Sequence, residues 1–135
     1  MGSLGAGNTT KLANQIIVAV NIAAVAEAFT LATKAGVDPQ LVFEAIKGGL
    51  AGSTVMNAKA PMILAGNFKP GFKIDLHIKD LANALDTGYL TGAPLLLTST
   101  AMQILQQLHA GGDGQNDHSA IARFYEKVAG ETIGD

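Results

Sequence analysis

Two lysines whose neighbours recur at helical spacing are the residues of this sequence best suited to chemistry. Lys11 precedes Asn14 by three positions, at the start of a predicted helix that has Asn8 as its N-cap and ends at Lys34. A cation in the first turn is disfavoured by the helix dipole, so Lys11 is suited to exchanging a proton with a substrate hydroxyl or carbonyl. Asn14 points the same way and can hold a substrate oxygen. Alternatively, Lys11 extends into water and Asn14 is a surface residue.

The second lysine is Lys79. It follows Asp75 by four residues, and an ordinary exposed ion pair also explains this spacing. Phe72 stands in the turn before the same predicted helix, a position that a core residue often occupies.

Other kinds of chemistry have little support. The sequence has no Cys, and the Glu-x-x-His and His-Glu-x-x-His pairs of helical metal sites are absent. His77, His109 and His118 are dispersed, and we expect each to be a polar surface or cap residue. No Gly-x-Ser-x-Gly elbow favours a hydrolase. The Gly-rich start has the spacing G-x-x-G-x-G without a preceding strand, so it is not a dinucleotide fingerprint.

Composition narrows the class of protein. The 135 residues make one domain, 48% of them are hydrophobic, and the net charge of −2 gives no attraction to nucleic acid or anionic membranes. The apolar run from Ile16 to Ala26 is shorter than the ~20 residues of a membrane span, which predicts a buried helix. The absence of Cys fits a reducing compartment, and we expect a cytoplasmic protein.

Helix-favouring segments separated by Gly and Pro signals predict an all-α fold. About six helices should surround one long central helix. The expected segments are Thr9 to Lys34, a short helix capped by Asp38, a third capped by Ser53 and ended by Gly66, Phe72 to Thr87, Pro94 to about His109, and Ser119 to Ala129.

Two motifs resemble a known family. The chain opens with Gly2-x-x-Gly5-x-Gly7-x-x-x-Lys11-x-x-Asn14 and continues, about seventy residues on, with Lys79-Asp80-Leu81-x-x-Ala84. This pair is similar to the C-terminal domain of the β-hydroxyacid dehydrogenases. The resemblance covers essentially the whole chain and includes the segments GGLAGST, AKAPM, NFKPGFKIDLHIKDLANALD and DHSA.

The resemblance implies a fold like the C-terminal domain of 6-phosphogluconate dehydrogenase and an oxidoreductase that uses NAD or NADP. Its substrate would be a small hydroxy acid or semialdehyde. Lys11 would be the catalytic lysine. Asn14 would contact substrate, as would Gln15, which stands where many relatives carry a second Asn. Lys79 and Phe72 would lie against the cofactor.

The resemblance also implies a separate N-terminal Rossmann domain, which these 135 residues do not contain. We therefore expect a C-terminal fragment that begins with an added Met1 and has no turnover on its own. Family members commonly associate through this domain, so a homo-oligomer is expected. A purely structural alternative is a helical oligomerisation module without catalytic activity.

Overall fold

Six α-helices and one short 3-10 helix form the part of the chain that the computed structural model describes, which is residues 3–134, with side chains from residue 5. Within this range there is no β-strand, and Lys73 and Asp117 form an isolated β-bridge. The all-α prediction is confirmed. Met1, Gly2 and Asp135 lie outside the described residues. Gly2 is the first residue of the first motif. The elements are α1 (Ser3–Lys34), α2 (Pro39–Ile46), α3 (Thr54–Ala65), α4 (Ile74–Thr91), α5 (Leu96–Ala110), the 3-10 helix (His118–Ala120) and α6 (Ile121–Ala129).

Helix α1 is the centre of the fold, as predicted, because it contacts every other helix. Its buried positions include Ala19, Ile22, Ala26 and Phe29, which are fully inaccessible to solvent. These residues recur every three or four positions and so form one face of the helix. The small alanines let neighbouring helices pack closely against this face, while Ile22 and Phe29 fill the space between them.

The same helix is long and apolar enough to cross a membrane by length and composition alone. An 18-residue window within Gly5–Lys34 has a mean hydropathy of 2.0. The predicted apolar run, Ile16 to Ala26, is only part of this helix, so its shortness does not by itself exclude a span. The helix nevertheless contributes fully buried residues to the protein core, and the core helix of a folded domain meets the same criterion.

The start of α1 differs from the prediction in a way that matters for Lys11. The helix begins at Ser3, so Asn8 lies inside it and is not its N-cap. Lys11 consequently lies about two turns into the helix. The helix dipole acts mainly on the first turn, so it does not account for the properties of Lys11.

The N-cap residues in the sequence correctly predict where α2 and α3 begin. The side chain of Asp38 accepts a hydrogen bond from Gln40 N at the start of α2, and Ser53 Oγ accepts one from Met56 N at the start of α3. Gly66 ends α3 with φ of 66°, a left-handed conformation that favours glycine.

Helix α4 begins later and ends later than predicted, at Ile74 and Thr91 in place of Phe72 and Thr87. Its first amides bind distant carbonyls, because Ile74 N donates to Asn116 O and Asp75 N to Gly114 O. These bonds keep the preceding residues extended, and no local sequence signal reports them.

Candidate active site

Two of the predicted site residues contact one carboxylate, and a third is bonded to one of them. Lys11 Nζ lies 3.8 Å from Asp80 Oδ1, and Gln15 Nε2 donates to Asp80 Oδ2 over 2.8 Å. Asn14 Nδ2 in turn donates to Gln15 Oε1 over 3.0 Å. The result is a row of amine and amide groups along one face of α1, with Asp80 of α4 as its anchor.

The two partners of the ion pair differ in exposure. The Lys11 side chain is 66% exposed and that of Asp80 is 11% exposed. Asp80 is therefore a fixed, nearly buried anion, while the Lys11 ammonium remains accessible to a ligand. The amide of Gln15 bridges Asp80 to Asn14, so the positions of both polar side chains depend on the same carboxylate.

Asp80 was missed as a site residue by sequence reasoning. It is adjacent to Lys79 in the quoted motif, and the lysine alone was assigned a role. A signal was present: an acidic residue in a helix that otherwise presents Ile74, Leu81 and Ala84 to the core is unusual, because buried carboxylates need partners.

Lys79 does not pair with Asp75. Asp75 Oδ1 is instead 2.7 Å from His109 Nδ1, and Asp75 Oδ2 accepts a hydrogen bond from Gln115 Nε2. The ion-pair alternative for Lys79 is therefore wrong. Its side chain is exposed, and no ion pair with another described residue occupies it.

Phe72 lies in a turn whose main chain is bound to Asp117. The carboxylate oxygen Oδ1 of Asp117 accepts hydrogen bonds from the amides of Gly71 and Phe72, both at 2.9 Å. The main-chain groups Asp117 N and His118 N donate to Phe68 O and Phe72 O. The turn is thus held from both of its ends.

Asp117 is fully buried and has further donors. Its Oδ2 accepts from Ser119 N over 3.0 Å, and Lys59 Nζ lies 3.1 Å away. Burial opposes ionisation of this carboxyl, but the hydrogen bonds from Ser119, Phe72 and Gly71 outweigh it and hold the pKa of Asp117 far below its usual value. Asp117 is therefore an anion under ordinary conditions.

The histidines correct a second prediction. His109 lies at the surface, as expected, but His77 is fully buried and His118 is only 5% exposed. Their Nδ1 atoms are 2.8 Å apart, and His77 Nε2 is 3.0 Å from the carbonyl oxygen of Gln15. The ring of Phe72 packs on both, with centroids 5.5 Å from His77 and 5.2 Å from His118.

Burial also determines the charge of His77 and His118. Desolvation lowers the pKa of His118 to about 3, with the nearby Lys59 ammonium as a further cause, and burial lowers the pKa of His77 as well. Both rings are therefore neutral near pH 7. Sequence spacing could not reveal this pair, because His77 and His118 are far apart in the chain.

Lys79 and Phe72 have side chains of the kinds that can contact a dinucleotide. The Lys79 ammonium has no ion-pair partner within residues 3–134, and a lysine in that state suits a phosphate or another anion. Phe72 is half-buried, so part of its ring is available to a flat group such as nicotinamide. Within the same range, no cluster of three or more His, Asp or Glu side chains is arranged to hold a metal ion.

The side chains of Lys11, Asn14 and Lys79 are exposed on the surface. Four grooves of the protein are lined by other residues. One of them adjoins the Lys11 turn, since Thr9 and Leu12 of α1 line it together with Thr87 of α4. A small substrate bound at Lys11 would therefore need an additional surface to enclose it.

Comparison with known proteins gives one family. Residues 5–125 match the family described as "NAD-binding of NADP-dependent 3-hydroxyisobutyrate dehydrogenase". The chain is 41% identical over 133 residues to the 2-hydroxy-3-oxopropionate reductase of Escherichia coli strain K12, covering 98% of the chain and 46% of that protein. It is 36% identical over 134 residues to the 2-(hydroxymethyl)glutarate dehydrogenase of Eubacterium barkeri, covering 98% of the chain and 44% of that protein.

A solved structure shows the same fold. The crystal structure of a 3-hydroxyisobutyrate dehydrogenase from Salmonella typhimurium superposes with a TM-score of 0.81 at 30% identity, over 85% of this chain and 40% of the other. The chain thus spans about half the length of the relatives that it matches.

Proposed function

Because the chain belongs to the NAD(P)-dependent β-hydroxyacid dehydrogenase family, we propose that it is the helical C-terminal domain of an oxidoreductase that interconverts a small hydroxy acid and its semialdehyde. The observation that carries this proposal is the accessible Lys11 ammonium beside the Asp80 carboxylate. An ammonium and two neighbouring amides on one exposed face can supply the proton and the oxygen contacts of carbonyl reduction, while the cofactor would supply the hydride.

Lys11 is assigned the role of the general acid. In the reducing direction its ammonium donates a proton to the carbonyl oxygen, and in the oxidising direction the neutral amine receives the hydroxyl proton. Asp80 limits the positions that the ammonium can take, because it attracts Lys11 from a fixed place on α4. The ion pair is long enough at 3.8 Å to leave Lys11 free to bond a substrate oxygen.

Asn14 and Gln15 are assigned to substrate binding. Gln15 already uses its amide nitrogen on Asp80 and its amide oxygen on Asn14. Asn14 is the more exposed of the two and keeps its amide oxygen for another donor. It is therefore the better candidate to hold a substrate hydroxyl, with Gln15 fixing its orientation.

Lys79 and Phe72 are assigned to the cofactor. NADH or NADPH, when bound, supplies the hydride that adds to the carbonyl carbon. The exposed Lys79 ammonium attracts the cofactor's negative charge, and the Phe72 ring offers an apolar surface that excludes water. The family's N-terminal Rossmann domain, on a longer polypeptide, would supply most of the cofactor contacts.

Within the family, the substrate that we favour is 2-hydroxy-3-oxopropionate, also called tartronate semialdehyde, whose reduction yields glycerate. The 41% identity to the Escherichia coli reductase of that name supports this choice. 3-Hydroxyisobutyrate and the substrates of other family members are the alternatives, because a 3-hydroxyisobutyrate dehydrogenase shares the fold at 30% identity. Oxidation of NADH and NADPH measured against a panel of these compounds distinguishes them.

The decisive experiment uses the chain joined to a nucleotide-binding domain of its family. Lys11→Ala should lower kcat by about 100-fold or more, since general acid catalysis contributes about 10²–10⁴-fold. Lys34→Ala is the matched control, because it removes another exposed lysine, on the same helix, that pairs with Glu131. Normal turnover by Lys11→Ala would contradict the proposed function.

Two further expectations concern the chain itself. We expect no turnover from the 135 residues alone, because the face around Lys11 is exposed, and we expect the protein to be cytoplasmic like a typical soluble dehydrogenase. A homo-oligomer is favoured by large apolar side chains exposed on α1, namely Ile17 and Leu31, which are 64% and 72% exposed. The rival function, a purely structural oligomerisation module, is also based on these side chains. Sedimentation tests assembly, and a monomer would contradict it.

A further inference from the structure

The buried pair of His77 and His118 has a single possible arrangement of protons when both rings are neutral. The carbonyl oxygen of Gln15 can only accept, so His77 Nε2 carries a proton and donates it. His77 Nδ1 is then an acceptor, and His118 Nδ1 must carry the proton that joins the two rings over 2.8 Å. The chain of hydrogen bonds therefore runs in one direction, from His118 through His77 to Gln15.

This series of hydrogen bonds connects the two parts of the proposed site. Its α1 end is the carbonyl of Gln15, which lies one helical turn after Lys11. Its other end is His118, whose main-chain N donates to Phe72 O over 2.8 Å and whose ring packs on Phe72. Two neutral rings thus lie between the turn that carries the proton donor and the turn proposed to contact the cofactor.

Charged groups surround the pair on three elements. Asp80 on α4 and Asp117 before the 3-10 helix favour a positive ring, whereas Lys59 on α3 and burial oppose it. Protonation of both rings would place a hydrogen on each Nδ1 atom and force the two atoms apart, since neither could then accept. The 2.8 Å contact therefore exists only while the pair carries one shared Nδ1 proton.

We propose that His77 and His118 are positioning residues for the proposed dehydrogenase reaction, and that their directed hydrogen bonds set the location of the Lys11 turn relative to the Phe72 turn. This inference rests on the proposed function, because a distance between these turns matters for turnover only if Lys11 and the cofactor meet there. The pair touches neither substrate nor cofactor and acts through Gln15 and Phe72.

The pairing itself is tested on the 135-residue chain without any substrate. Nitrogen-15 NMR of the imidazoles near pH 7 should show the Nε2–H tautomer for His77 and the Nδ1–H tautomer for His118. Assignments come from His77→Gln and His118→Asn, each of which removes one set of signals. The opposite tautomers, or a charged ring in either residue, would overturn the inference whatever the enzyme activity.

The role in catalysis is tested in the longer polypeptide. His118→Leu removes the donor to His77, and we expect kcat to fall about tenfold or more, since small misplacements cost up to about 100-fold. The KM for NADH or NADPH should stay within about twofold, because the pair does not bind the cofactor. His118→Asn keeps an N–H donor near the position of Nδ1 and should restore most of the lost kcat.

A control variant distinguishes a loss of fold stability from a misplacement of the Lys11 turn in His118→Leu. Asp38→Ala removes the cap of α2, remote from the site, and should lower the unfolding temperature without changing kcat. A folded His118→Leu enzyme with the kcat of the wild type, or equal losses for His118→Leu and His118→Asn, would contradict the inference alone. A wild-type enzyme that oxidises neither NADH nor NADPH with any substrate of the panel would contradict the proposed function and the inference with it.

Discussion

The Nδ1 atoms of His118 and His77 lie 2.8 Å apart in the interior of the protein. Because both rings are buried and neutral, this contact makes the stability of the fold depend on pH.

The first prediction is a loss of stability in mild acid. Burial lowers the pKa of His118 from 6.5 to about 3, so the unfolded chain binds more protons than the folded chain between these values. The stabilisation is complete above pH 6.5 and is lost as the pH falls toward 3. We expect the free energy of unfolding to drop by roughly 3 kcal/mol from pH 7 to pH 4.

Urea unfolding at several pH values measures this drop. The carboxyl of Asp117 also has a lowered pKa, but its contribution is lost only below its ordinary value of 3.8. The range from pH 6.5 to 4 therefore reports the histidines, and His118→Asn should flatten the curve there. A wild-type curve that is level between pH 7 and 4 would count against a neutral pair.

The second prediction concerns Asp80. Asp80→Asn removes the charge opposite Lys11 and leaves Gln15 Nε2 facing a group that can turn its own N–H₂ toward it. In the longer enzyme we expect kcat to fall about tenfold, with a smaller change in cofactor KM, because Lys11 loses its anchor. Steady-state kinetics on purified enzyme measures both constants.

Asp86→Asn is the control for Asp80→Asn, since Asp86 is an exposed aspartate on the same helix. It should leave kcat unchanged. Equal kinetics for the two variants would show that Lys11 does not depend on Asp80.

The third prediction compares two lysines. Lys59→Met leaves the fully buried Asp117 carboxylate without its cation, and removal of one partner of a buried pair costs about 3–5 kcal/mol. Lys47→Met breaks an exposed pair with Glu44 and should cost far less, because solvent screens an exposed pair. Chemical denaturation of both variants gives the difference, and similar losses would mean that the amides of Gly71, Phe72 and Ser119 suffice to hold Asp117.

The fourth prediction concerns the end of α3. Gly66 has φ of 66°, so Gly66→Ala should destabilise the fold by about 1–2 kcal/mol. Gly48→Ala should have little effect, because its φ lies outside the left-handed range and an added Cβ meets no atom within 4 Å. Thermal unfolding compares the two, and an equal response would show that the left-handed cap is not needed.

Features encoded by neighbouring residues could be predicted from the sequence. Asp38, Ser53 and Gly66 act within one helical turn of their own positions, and each was identified correctly. The motif carrying Lys11 and Asn14 likewise led to the polar face of α1. The start of α1 was misplaced, because Asn8 is a plausible cap by residue type alone.

Features that depend on distant partners could not be predicted. His77 was expected at the surface because nothing near it in sequence shows that His118 and Gln15 O satisfy its two nitrogens. The start of α4 was set too early for the same reason, since carbonyls of the segment before the 3-10 helix bind its first amides. The roles of Lys79 and Phe72 in cofactor binding stay predictions.

The hydrogen bonds between Asp117 and the Phe72 turn have a consequence for how the domain folds during synthesis. The amides of Gly71 and Phe72 bind a carboxylate 46 and 45 residues further along the chain. During synthesis these amides have no partner until the ribosome has released the segment around Asp117 and Ser119, although α1, α2 and α3 are already complete. The proposed cofactor side of the domain therefore cannot form before residue 117 is released, and a ribosome stalled before that residue would display α1, α2 and α3 without it.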